Sequence, residues 1–195
     1  MADRVPLDFA PPVRQVSSLL LGVTDEHLSR PTPCPDWKVG DLLDHLIGLG
    51  WAFTQTARKA DPPEADGPPP EPSAANLSPD WRSRLPMVLE ELVLAWQDPA
   101  AWEGTAKAGG VTMPAAAMGL VAVNEVTMHG WDLARATGQE YATDPRILEQ
   151  LIEFLSQGPK EGSPGLFGPV VEIGDEADLL DQAVSLAGRD PNWRP

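Results

Sequence analysis

The chain has 195 residues, 42% of them hydrophobic, and 29 acidic against 14 basic residues give a net charge of −15. This is enough chain for one domain with a real core, and its negative field repels phosphate backbones, which argues against non-specific nucleic-acid binding. No apolar run reaches the roughly 18 residues of a membrane helix, and the N-terminal "MADRVPLDF" lacks a signal-peptide pattern, so a cytoplasmic protein with no membrane partner is expected.

In chain order, a first helix is expected over "PPVRQVSSLLLGV", where Val13, Val16, Leu19 and Leu20 recur at three- and four-residue steps. The three prolines of "RPTPCPDW" stop it. A second helix should start near Trp37, with Asp36 as its cap, and run to Arg58 and Lys59. Its apolar stripe is Val39, Leu42, Leu46, Leu49 and Phe53, with His45 at the edge of that stripe. Residues 61–79 hold seven prolines and few large apolar groups, and read as a mobile, solvated loop inside one domain spanning 1–195.

A third helix is expected over "SPDWRSRLPMVLEELVLAWQ", capped by Ser78, with Pro79 at its first position and Pro86 kinking it or delaying its start. "DPAAWEGTAKAGGVT" reads as a loop. The fourth helix should begin near Pro114 and end at Gly138, and the fifth is the amphipathic "DPRILEQLIEFLSQ". A short strand, "PVVEI", and a last helix capped by Asp175 and closed by Gly188 complete the chain. Four main helices joined by loops predict an all-α bundle with a short strand-plus-helix extension at its C-terminus.

The fourth helix poses the chemical question, because an otherwise apolar run carries Glu125, His129 and Asp132. At about 100° per residue these three project within a sector of roughly 60°. A carboxylate in an apolar interior costs several kcal/mol unless something compensates it. Glu125 and His129, four residues apart, present two metal ligands from adjacent turns, and His45 is the other histidine placed to face the core. Together they make a three-ligand, zinc-type site with a fourth position open. A hydrogen-bonded Glu–His pair without metal, or a pair on an exposed face, fits the spacing too. The single cysteine excludes an internal disulfide and a multi-cysteine zinc site. Cys34, between two prolines, reads as a packed turn residue, and Trp37 and Trp131 as helix-end packing or pocket lining. Asp132 reads either as the acceptor that holds an imidazole tautomer or as an ion-pair partner of Arg135. His27 is expected on an exposed turn.

"PTPCPDWKVGDLLDHLIG", followed much later by "NEVTMHGWDLARATG" and a closing "GRDPNW", resembles the actinobacterial metal-binding family related to the N-terminal domain of mycothiol-dependent maleylpyruvate isomerase. That family belongs to the DinB-like superfamily of four-helix bundles. The resemblance implies a divalent metal, zinc first with nickel or iron as alternatives, held by His45, Glu125 and His129. It further implies a transferase or isomerase acting on a small electrophile with a low-molecular-weight thiol, mycothiol by family. The expected partners are that thiol and its substrate, with no nucleic acid and no membrane, and a homodimer stays open. The isomerase has a further C-terminal domain, whereas here only the strand and helix are expected beyond the bundle. A hydrolase on the same ligands, or a non-catalytic binding protein, are the alternatives. The hydrolase is weakened because no acidic base stands beside His129 as it does in zincin-type sites.

Overall fold

The computed structural model describes residues 7–60, 62–162, 167–174 and 176–195. Four helices form the body: α1 (Ala10–Leu20), α2 (Val39–Ala57), α3 (Trp81–Trp96) and α4 (Ala115–Thr137). They pack in a closed ring in which α1 touches α4, α4 touches α2, α2 touches α3 and α3 returns to α1. This is the all-α four-helix bundle expected from the periodicity. Among the described residues no helix is long and apolar enough to cross a membrane.

The core lies where the four apolar faces meet, and Leu42, Leu43, Leu46, Leu85, Leu89, Leu92, Met118 and Met128 are fully buried there. The expected stripe of α2 is buried throughout, and Leu43 and Ile47 widen it. Most of α4 is buried, because α1, α2, the hairpin below and α5 (Pro145–Leu155) all pack against it. Its threonines remain satisfied in that interior by bonding back one turn, Thr127 Oγ1 to the Val123 carbonyl and Thr137 Oγ1 to that of Leu133, each at 2.7 Å.

Several boundaries differ from expectation for local reasons. Residues 105–114, expected as loop, form a hairpin of β1 (Thr105–Ala108) and β2 (Val111–Pro114), antiparallel with Ala108 opposite Val111. Gly109 and Gly110 make its two-residue turn with φ of 57° and 77°, the backbone a primed turn demands. Asp36 does not cap α2: it sits at φ 67° in the turn of a small Pro-rich hairpin that pairs Pro31 with Lys38. The cap is made by Asp41, whose carboxylate accepts from the Lys38 N–H at 2.9 Å. Asp80 rather than Ser78 precedes α3, and Pro86 lies inside that helix and does not delay its start.

The 61–79 segment carries two short 3-10 turns, and its second half is tied to α2. Asp44 accepts from the Ser73 N–H and the Asn76 amide, and Asp41 from the Ala74 N–H. At the C-terminus, residues 169–173, expected as a strand, form none among the described residues. Val170 N–H goes to the Lys160 carbonyl and Val171 N–H to that of Ser185, on α6 (Leu179–Leu186). α6 and α5 pack on each other, and Asp178 caps α6 by accepting from Asp181 N–H; the expected cap Asp175 lies outside the described residues.

Candidate metal centre

α2 and α4 lie side by side in the ring, and this brings His45 to Glu125 and His129. Glu125 Oε2 stands 3.2 Å from His129 Nε2 and 3.4 Å from His45 Nε2. The two imidazoles meet edge to face with centroids 4.8 Å apart. Trp37, delivered by the Pro-rich hairpin, lies 4.7 Å from the His45 ring and 5.7 Å from that of His129, so it covers one side of both. The other side is wetter, since the side chains of His45 and Glu125 keep 17% and 21% exposure against 5% for His129.

Behind His129 the site continues inward. Its Nδ1 meets Asp132 Oδ2 at 2.9 Å, and Asp132 is completely buried. The charge of Asp132 is compensated by Arg189, whose Nη2 and Nε donate to its two oxygens at 3.0 and 3.3 Å. Arg189 also donates to the Ala187 carbonyl. Its placement depends on Gly188, at φ 80°, where a Cβ would sit 2.7 Å from the Gly168 backbone. Arg135 is not the partner of Asp132. It donates to the Pro191 and Trp193 carbonyls, with its guanidinium 5.5 Å from the ring of the buried Trp131. The closing "GRDPNW" is thus strapped to α4 by two arginines.

The protonation pattern follows from these contacts. Burial by itself would raise the Glu125 carboxyl, but hydrogen bonds and charge from His129 and His45 hold it well below the usual carboxylate range. Asp132 is likewise held low against its burial, chiefly by Arg189 and then by His129. Burial would lower His129, yet its bonds to Asp132 and Glu125 raise it. His45 is lowered, by burial first and by the charge of His129, against the pull of Glu125. Cys34 is pushed up to about 12 by burial and by the nearby Asp132, and keeps its proton.

Among the described residues, two sets of three donor atoms lie within 4.8 Å of one another, His45–Glu125–His129 and Cys34–His129–Asp132. The second set is poorly suited to a metal, because Arg189 already engages both Asp132 oxygens. The first set suits a divalent ion of borderline hardness. With Nδ1–H of His129 donated to Asp132, its Nε2 lone pair faces the Glu125 carboxylate. A positive charge at that nitrogen, as a proton or as a metal ion, satisfies the arrangement. A carboxylate behind a ligating imidazole is also the usual support of a metal-bound histidine.

The sequence profile of the mycothiol maleylpyruvate isomerase N-terminal domain family matches residues 9–134. The chain belongs to this family. Relatives include two uncharacterized proteins of Mycobacterium tuberculosis, strains CDC 1551 and H37Rv, each 29% identical over 179 residues that cover 89% of this chain and 91% of theirs. The fold matches a crystal structure of mycothiol-dependent maleylpyruvate isomerase with a TM-score of 0.62 at 21% identity, over 93% of this chain and 86% of that one. A histidine-to-alanine mutant of that isomerase gives 0.62 at 22% identity, over 91% and 85%. The likeness in fold covers more of the chain than the 9–134 match of the family profile.

Reasoning from sequence put His45, Glu125 and His129 in one site, and the structure brings them together. It left Asp132 between two partners, and the first of those contacts is the one made. Arg189, although it stands inside "GRDPNW", carried no expected role. The available signal was a buried aspartate in need of a cation. His27 proves half-buried, its Nδ1 accepting from the Thr24 N–H.

Proposed function

We propose that the protein is a divalent-metal protein that uses a low-molecular-weight thiol, mycothiol by family kinship, in a transferase or isomerase reaction on a small electrophile. The observation that carries this reading is the convergence of two imidazole Nε2 atoms on one Glu125 oxygen at a partly wet edge of the bundle, at 3.2 and 3.4 Å. His45, Glu125 and His129 would hold the ion. A bound divalent ion with an open position supplies Lewis acidity, which lowers the pKa of a thiol presented to it.

The chain's own residues do the rest. Asp132 accepts the Nδ1 proton of His129 and so keeps Nε2 as the donor atom. Arg189 holds Asp132 as an anion and fixes its direction. Trp37 lies over both rings, shields that side from water and leaves approach from the side of His45 and Glu125.

Elemental analysis of the purified protein tests the metal. The expected outcome is about one divalent ion per chain in wild type and none in a His45→Ala/His129→Ala double mutant; equal metal in both rejects the ligand set. Calorimetric titration of metal-loaded protein with mycothiol tests the thiol, followed by rate measurement over a panel of small electrophiles. Metal binding without thiol binding or rate enhancement leaves a non-catalytic binding protein.

A further inference from the structure

α2 contains three glycines, and packing explains two of them. A Cβ on Gly40 would stand 2.6 Å from the Ala74 Cβ, and one on Gly50 would stand 2.8 Å from Val88 Cγ1. Both let a neighbour come close. Gly48 has no such reason, because a Cβ there meets nothing within 4 Å and its φ lies outside the left-handed region. It is exposed, in the middle of a helix, where glycine is less favourable than alanine. The local helix is weakened with no gain in packing.

Its position gives the reason. Gly48 follows His45 by three residues and so stands on the same face of α2. Side chains of a helix lean toward its N-terminus, so each residue covers the surface over the preceding turn. A side chain at position 48 would therefore lie over the turn of His45. The neighbouring candidate, Leu49, is turned into the core at 6% exposure. With Trp37 over one side of the imidazoles, the partly exposed edge of His45 and Glu125 is the side from which a ligand arrives.

We propose that Gly48 is a specificity-determining residue, a gap in the α2 surface that admits the body of a bulky thiol to the edge of the His45–Glu125–His129 cluster. The inference rests on the metal-centre reading above. A Cβ at position 48 meets none of the three ligands within 4 Å, so a larger side chain there acts by narrowing the approach.

The experiment compares wild type with Gly48→Ala and Gly48→Leu by three measurements: metal content, thermal unfolding, and titration with mycothiol and with 2-mercaptoethanol. Both variants should keep wild-type metal content. Gly48→Ala should raise Tm by about 2 °C. Gly48→Leu should bind mycothiol about tenfold more weakly or worse, while 2-mercaptoethanol, which has no body to exclude, binds as in wild type. Mycothiol affinity unchanged in Gly48→Leu, parallel loss of both thiols, or no thiol binding by wild type overturns the role of Gly48. Absence of metal from wild type overturns the metal reading instead, and the mycothiol comparison still decides for or against the gap.

Discussion

Replacing Arg189 with methionine keeps an apolar stem of similar length and removes the guanidinium that faces Asp132. The carboxylate is completely buried and the arginine side chain is 12% exposed, so solvent screens the pair little. Breaking a buried pair by removing one partner costs about 3–5 kcal/mol, because the other charge remains without compensation. Asp132 would keep one donor, His129 Nδ1–H at 2.9 Å, which places the expected loss near the lower end, about 3 kcal/mol. Urea unfolding followed by circular dichroism reads this as a lower midpoint at unchanged slope. A double mutant Arg189→Met/Asp132→Leu removes the stranded charge as well and leaves the His129 N–H without an acceptor, a cost of about 1–3 kcal/mol. It should lose less than the sum of the two single mutants, with a coupling of about 1–3 kcal/mol. A loss under about 0.5 kcal/mol for Arg189→Met, or strict additivity in the cycle, would refute the view that Arg189 compensates Asp132.

Gly188→Ala meets both a left-handed φ of 80° and a backbone contact at 2.7 Å, so a loss of about 2 kcal/mol or more is expected in thermal melts; a melt like wild type would show that the tail turn can relax. Asp41→Ala removes the α2 cap and the anchor of Ala74 together, and chemical denaturation should show a loss of about 1–2 kcal/mol. If stability does not change, the 61–79 segment contributes nothing through that anchor. Acid titration of stability should show a limb from Asp132 and Glu125, whose ordinary values are 3.8 and 4.5 and whose native values are depressed. Their contribution is complete above those ordinary values and is lost as pH falls below them through the native ones. Asp132→Asn should flatten this limb, and an unchanged acid slope would contradict the assignment.

The parts of the molecule legible in the sequence are those that rest on periodicity. α4 from Pro114 to Gly138, the buried stripe of α2 and the amphipathic α5 follow from spacing, and with them the meeting of His45, Glu125 and His129. The hairpin at 105–114 was hidden by its weak strand formers, Ala and Lys, although the Gly109–Gly110 pair marks a two-residue turn. "PVVEI" misled in the opposite sense: its β-branched residues favour a strand, but its Val170 and Val171 N–H groups go to the Lys160 and Ser185 carbonyls, and no strand forms there among the described residues. The cap of α2 and the docking of residues 73–76 depend on which carboxylate reaches which N–H, a matter of side-chain direction that spacing does not report. Arg189 is the hardest case, because it lies past the end of α6 and its partner lies on α4, far back in the chain.

The pairing of Asp132 with a residue 57 positions later also sets an order of events during synthesis. At about 5–20 residues per second, a ribosome needs about 3–11 s to add that stretch. Once Thr137 completes α4, early in that interval, all four bundle helices have been made, and Asp132 still has no guanidinium to receive it. The nascent chain either holds α4 partly open or keeps Asp132 protonated until the tail arrives. The bundle thus forms its ring of helices early and closes around His129 later, once Arg189 has been added.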